Sequence, residues 1–199
     1  MDHFLFNQNC YLSQSDNAIE AIIRKTGSKS WLRSCGPTSS AMLVMAIGKP
    51  IECKSPAGEQ IQPEDALFCY FNDPKNREIL QAQRPEVNPD NFFGNQIPQF
   101  YPEAINRFFG ARCSFSWGAT FGQIILAINA GRGVMVQLTD PGHYIAIIGY
   151  SDDGEIIYND PWPDNYWPRR YSGKSPEKRR VNYETELKPN LQPFRVEIG

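Results

Sequence analysis

The chain has almost no surplus of charge: 20 Lys and Arg stand against 22 Asp and Glu, a formal net charge of −2. No broad positive field exists to gather a polyanion, so nucleic acid is not an expected partner. No apolar run approaches the roughly 18 residues that announce a membrane-spanning helix, and no integral membrane segment is expected. The opening stretch, MDHFLFNQNCYLSQ, is too short in its apolar part for a secretory leader and has no basic region before it. The chain is therefore expected to be cytoplasmic as synthesised, with release to a cell wall by a holin or another leader-independent route left open. Cysteine is odd in number, at 5, and forms no CxxC pair, which argues against a zinc knuckle and a disulfide framework. Neither a metal nor an organic cofactor is expected. Cys53, Cys69 and Cys113 read as small buried apolar residues. Repeats and low-complexity tracts are also absent.

What is present divides into a helical first part and a strand-rich last part. At 199 residues, 41% hydrophobic and 13% aromatic, the chain can bury a substantial core as one domain, residues 1–199. NAIEAIIRKT (17–26) suggests a short helix. SCGPTSSAMLVMAIG (34–48) reads as a buried helix beginning at or near Cys35, with Pro37 in its first turn and Gly48 at its stop. Helices are also expected over 63–71, 75–83 and 102–109, the last ended by Gly110, with a long loop over 84–99. ARCSFSW (111–117) reads as a strand. Thr120 and Gln123 form a capping-box pattern that opens a helix to Ala130. GVMVQLT (133–139), HYIAIIGY (143–150) and EIIYND (155–160) are β-branched and aromatic, and SDDG joins the last two as a hairpin. Helices first and strands later point to an α+β fold.

Cysteine attacks as thiolate, and a helix N-terminus favours that anion through its free N–H groups and its dipole. Cys35 stands at such a start, with Gly36 allowing close approach of a substrate backbone. Of the 2 histidines, His3 lies in a terminus expected to be mobile, while His143 opens an apolar strand. Asp160 ends the next strand, and a hairpin turned at SDDG sets the two beside each other. A carboxylate there would fix the imidazole tautomer and stabilise the imidazolium. Asn159 is the neighbouring alternative, since strand alternation points only one of the pair at His143. Acyl transfer also needs donors for the developing oxyanion. The N–H of Cys35 is one, and the side-chain amide of Gln14, or less favourably Gln8, is the candidate for the other.

SCGPTSSAMLVMAIG followed by GHYIAIIGYSDDGEIIYNDPW (142–162) resembles the papain-like cysteine peptidases related to those that trim double-glycine leaders from bacteriocins, in their stand-alone bacterial and phage branch. There a Cys-Gly-Pro-Thr/Ala-Ser motif opens the helix, a strand begins with His, and the next strand ends Asn-Asp-Pro. A Tyr-x-x-Gln upstream matches Tyr11 and Gln14. The resemblance implies a helical N-terminal lobe, with the nucleophile at a helix start, packed on a C-terminal antiparallel sheet. It further implies Cys35, His143 and Asp160 as the triad and Gln14 as oxyanion donor. Residues 49–132 form a region the resemblance does not cover. Arylamine acetyltransferases, NlpC-type wall peptidases and phytochelatin synthases fit the motifs less well.

The implied activity is hydrolysis of a peptide or amide bond through an acyl-enzyme. A phage-type endolysin acting on peptidoglycan peptides is one expectation. The basic stretch RRYSGKSPEKRR (169–180) would then hold an anionic wall polymer, and the aromatics of WPDNYWPRRY (162–171) would line a cleft or bind glycan. The alternatives are a cytosolic processing or effector protease and an inactive papain-like binding module.

Overall fold

The computed structural model describes residues 1–14, 34–49, 51, 60–83, 85, 97–140, 142–162 and 175–199. The helix expected over 17–26 lies outside the described residues, as does most of the loop expected over 84–99. The architecture is α+β, and its sheet of seven strands is antiparallel at every pairing.

The elements begin with strand β1 (Asp2–Phe4) and helix α1 (Cys35–Ala46). Helices α2 (Pro63–Asn72), α3 (Pro74–Gln83) and α4 (Tyr101–Phe109) follow. Strand β2 (Cys113–Trp117) leads to helix α5 (Phe121–Asn129), then strands β3 (Gly133–Gln137), β4 (Tyr144–Ser151) and β5 (Glu155–Asn159). The chain ends with β6 (Arg179–Asn182), a π-helical turn (Tyr183–Leu187) and β7 (Phe194–Ile198).

Local signals account for several boundaries. Thr120 accepts from the Gln123 N–H at 3.3 Å and the Gln123 side chain accepts from the Thr120 N–H at 3.0 Å, the reciprocal box that starts α5. Gly110 closes α4 in the left-handed region, at φ 61°, where a Cβ is disfavoured. Every residue of α1 except Met45 is buried, as expected of a helix that is apolar around its whole circumference. It packs on β3, β4 and α2. Two small polar residues tie it down: Ser39 Oγ donates to the Tyr144 carbonyl at 3.2 Å and Ser40 Oγ lies 3.4 Å from Met135 Sδ. At Gly133 a Cβ would stand 2.7 Å from Leu43 Cδ2, so helix and sheet meet there with no room for a side chain.

Three strands were not anticipated. β6 extends the sheet beyond β5, β1 pairs with the second half of β4, and β7 sits between β2 and β3. The expectation of a mobile N-terminus is corrected. His3 pairs with Tyr150, its ring stacks on that tyrosine at 4.4 Å between centroids, and its Nε2 lies 2.8 Å from Asp152 Oδ1.

The β4–β5 register also differs from the simple hairpin. Ala146 pairs with Asn159 and Ile147 with Tyr158, but Gly149 pairs with Ile157, so a bulge falls at Ile148. It sits where β1 joins. A Cβ on Gly149 would meet the His3 carbonyl oxygen at 2.4 Å. Gly149→Ala therefore has to push β1 off the sheet and should cost about 1–3 kcal/mol, read as a lower denaturant midpoint. An unchanged midpoint would mean that β1 docks without needing that close approach.

Candidate active site

Cys35 is the first residue of α1, and Ser34 precedes it as N-cap with its carbonyl accepting from Thr38 N at 3.0 Å and Thr38 Oγ1 at 2.9 Å. The first N–H groups of any helix lack partners within it, so those of Cys35 and Gly36 make no bond inside α1, and Pro37 sacrifices none. No acidic residue stands in that first turn to offset the dipole. Cys35 retains 8% of its surface, whereas Cys10 has none.

His143 directly precedes β4. Gly142, at φ 80°, turns the chain into it, and the His143 carbonyl accepts from Leu138 N at 2.8 Å. The bond from Ser39 to Tyr144 fastens α1 to the residue after His143, and so brings the helix start to the strand start. His143 Nε2 lies 2.7 Å from Asp160 Oδ1. The Cys35 side chain acts on the same imidazole and raises its pKa.

Asp160 follows the last residue of β5. Continuing the Ala146–Asn159 register would set Trp162, not Asp160, across from His143. The contact is therefore diagonal, made possible because the chain leaves the sheet at Asp160. Its N–H donates to the Pro176 carbonyl at 2.9 Å, and its Oδ1 also accepts from Trp162 N at 2.9 Å. Asn159 points elsewhere: its Nδ2 lies 3.4 Å from Cys10 Sγ, and its Oδ1 accepts from Lys178 N at 2.8 Å.

Gln14 is buried, and its N–H donates to the Pro161 carbonyl at 2.8 Å, one residue beyond Asp160. Gln8 is exposed. Arg179 was not singled out from the sequence. Its Nη1 donates to Asp160 Oδ2 at 3.1 Å, and both side chains are almost wholly buried. The sequence RRVN does not itself alternate, and only the paired strand β6 buries Arg179 and Val181 while leaving Arg180 exposed. Arg180 pairs with Asp2 and with Glu155. Residues 163–174, with all the aromatics of that stretch but Trp162 and the first half of the basic stretch, lie outside the described residues. Among the described residues no group of His, Cys, Asp and Glu could hold a metal ion, and no helix is long and apolar enough to cross a membrane.

Burial pushes the Cys10 thiol up to about 11 and raises that of Cys113 well above its ordinary value. For His143, burial works to lower the pKa, but hydrogen bonds to Asp160 and Cys35, with their charges, outweigh it and raise the value to about 10.

A nearly buried cysteine at a helix start, set against a histidine on an antiparallel sheet, is the arrangement of a papain-like cysteine peptidase. The chain belongs to the Peptidase_C39 like family, whose model matches residues 9–185. Its fold is similar to that of a C39-like peptidase from Bacillus anthracis, with a TM-score of 0.56 and 12% identity over 100% of this chain and 98% of the other. It is also matched to the peptidase domain of Streptococcus ComA, a bi-functional ABC transporter involved in a quorum sensing pathway, with a TM-score of 0.44 and 14% identity over 84% of this chain and 92% of that one. No curated protein matches the chain.

The raised His143 pKa carries a stability consequence. A histidine that holds its proton more tightly when folded adds stability that is complete below its ordinary 6.5 and drains away as pH rises through about 10. The unfolding free energy of the native chain, measured against His143→Gln by urea titration, should accordingly converge toward that of the variant between those limits. A difference that stays constant from pH 6.5 to 10 would contradict the assigned ionisation.

Proposed function

We propose that the chain hydrolyses a peptide or amide bond through an acyl-enzyme on Cys35, with His143 as general base and Asp160 as the group that orients it. The observation carrying this reading is the His143–Asp160 contact of 2.7 Å beside the strand start to which Ser39 fastens the helix that Cys35 begins, with the Cys35 side chain acting on the same imidazole. The thiol gives its proton to Nδ1, and the resulting thiolate is held by the imidazolium and the helix terminus. Attack on the scissile carbonyl places negative charge on its oxygen, which the Cys35 N–H and the Gln14 side-chain amide are proposed to receive. Gln14 is favoured over Gln8 because it is buried beside the chain that carries Asp160, while Gln8 faces solvent. His143 then returns its proton to the leaving amine and activates water against the thioester.

Residues 1–199 are proposed to act as one peptidase domain, since β1 from one end and β7 from the other join the same sheet. For the substrate, the endolysin reading loses part of its support. Two basic residues of the 169–180 stretch are engaged within the fold, Arg179 with Asp160 and Arg180 with Asp2 and Glu155. The proposed substrate is therefore a peptide, and peptidoglycan stems are one arm of its test.

Purified protein should release new amino groups from either unfolded protein or isolated peptidoglycan. Cys35→Ala and His143→Ala should each lower that rate by about 10³-fold or more. Gln14→Ala should lower it by about 10²–10³. Full activity in folded Cys35→Ala would dispose of the acyl-enzyme. Release from peptidoglycan alone would reinstate the wall as the site of action.

A further inference from the structure

The Asp160 carboxylate has both oxygens assigned. Oδ1 meets His143 Nε2 and accepts from Trp162 N, and Oδ2 accepts from Arg179 Nη1. Arg179 is itself fixed, because its Nε donates to the Ser175 carbonyl at 3.1 Å. The guanidinium thus spans from a main-chain oxygen to a buried carboxylate, a use of its planar fork that a point-charge ammonium cannot copy. The titratable groups that act with this pair come from several elements: His143 before β4, with Cys35 at the start of α1 beyond it, and Tyr11 near the N-terminus, which Glu177 also faces, while Lys178 acts on Cys10. Of these, Tyr11 is pushed up to about 12, by burial first.

We propose that Arg179 is a positioning residue for the Cys35–His143 pair, holding the Asp160 carboxylate with Oδ1 toward the imidazole and keeping a buried positive charge behind it. The inference rests on Cys35 and His143 being the reacting pair. Arg179 repels the imidazolium as well as attracting the thiolate, but on the acid limb His143 is protonated both before and after the thiol ionises, so the repulsion cancels and the attraction remains. An oriented, ionised Asp160 stabilises the imidazolium, and a nearby cation favours the thiolate, so the ion pair forms at lower pH. The role is not that of a core-filling arginine, because its removal should change where the thiol ionises and not only how firmly the chain folds.

The test is the rate of Cys35 alkylation by iodoacetamide as a function of pH, with peptide mapping, in the native chain, Arg179→Gln and Arg179→Lys. Arg179→Gln should move the midpoint of the Cys35 acid limb to higher pH by about one unit. Arg179→Lys, which keeps the charge but loses the planar fork and the bond to Ser175, should bring it only part of the way back. A folded Arg179→Gln protein with the native midpoint, or an Arg179→Lys midpoint displaced as far as that of Arg179→Gln, would overturn the proposal. Should Arg179→Gln not fold, the Arg179 Nε–H resonance of the native chain decides. It should shift across the same pH as Cys35 reactivity, and a resonance that stays still across that midpoint would refute the coupling. A native Cys35 with no reactive acid limb at all would refute the nucleophile itself, an outcome separate from either.

Discussion

The buried negative charge of Asp160 is the constraint around which the site is built. A carboxylate fully removed from water is tolerated only when it is paired and hydrogen-bonded. Here His143, Arg179 and the Trp162 N–H meet that demand together. Removing one member of a buried ion pair typically costs about 3–5 kcal/mol, so the fold and the chemistry share the same contacts. Four pieces of chain must arrive correctly for this to work: the start of α1, the start of β4, the end of β5 and the start of β6. The sheet brings the last three together by pairing, and the Ser39–Tyr144 bond adds the helix.

The sheet owes its breadth to contacts that are distant in sequence. β7, near the chain's end, lies between β2 and β3, and its Glu197 bridges Arg195 at 2.6 Å and Arg132 at 2.8 Å. It falls outside the matched residues 9–185, as does β1. Both strands complete the sheet without supplying a residue to the site. The charged residues of β7 follow the same logic as Asp160, since Glu197 is buried only in company with two arginines.

Much of this was legible before the structure. A Cys followed by Gly-Pro and an unbroken apolar run fixed the start of α1, because caps and fully buried helices write themselves locally. The Thr120–Gln123 box and the SDDG turn were local in the same way. The strand-ending Asp160 was legible as His143's neighbour, but its geometry was not. The bulge at Ile148 depends on β1 arriving over Gly149, a contact between residues far apart in sequence. β1 and β6, of 3 and 4 residues, carry too little apolar periodicity to stand apart from loop, whereas FRVEI in β7 alternates strictly and was a legible signal left unread. Arg179 was hidden for a related reason. In a run of basic residues the ordinary expectation is a solvated face, and only the partner across the sheet reveals which arginine turns inward.

The central claim is that the fold holds Cys35 as a preformed thiolate against His143. Its most direct test is the competitive alkylation of all cysteines in the native chain at a single pH below the ordinary range of a thiol, beside His143→Ala. The account predicts that Cys35 is labelled far faster than Cys10 and Cys113, which burial keeps protonated, and that it loses this lead when the imidazole is gone. A folded chain in which Cys35 reacts no faster than they do, or in which its lead survives without His143, would contradict it.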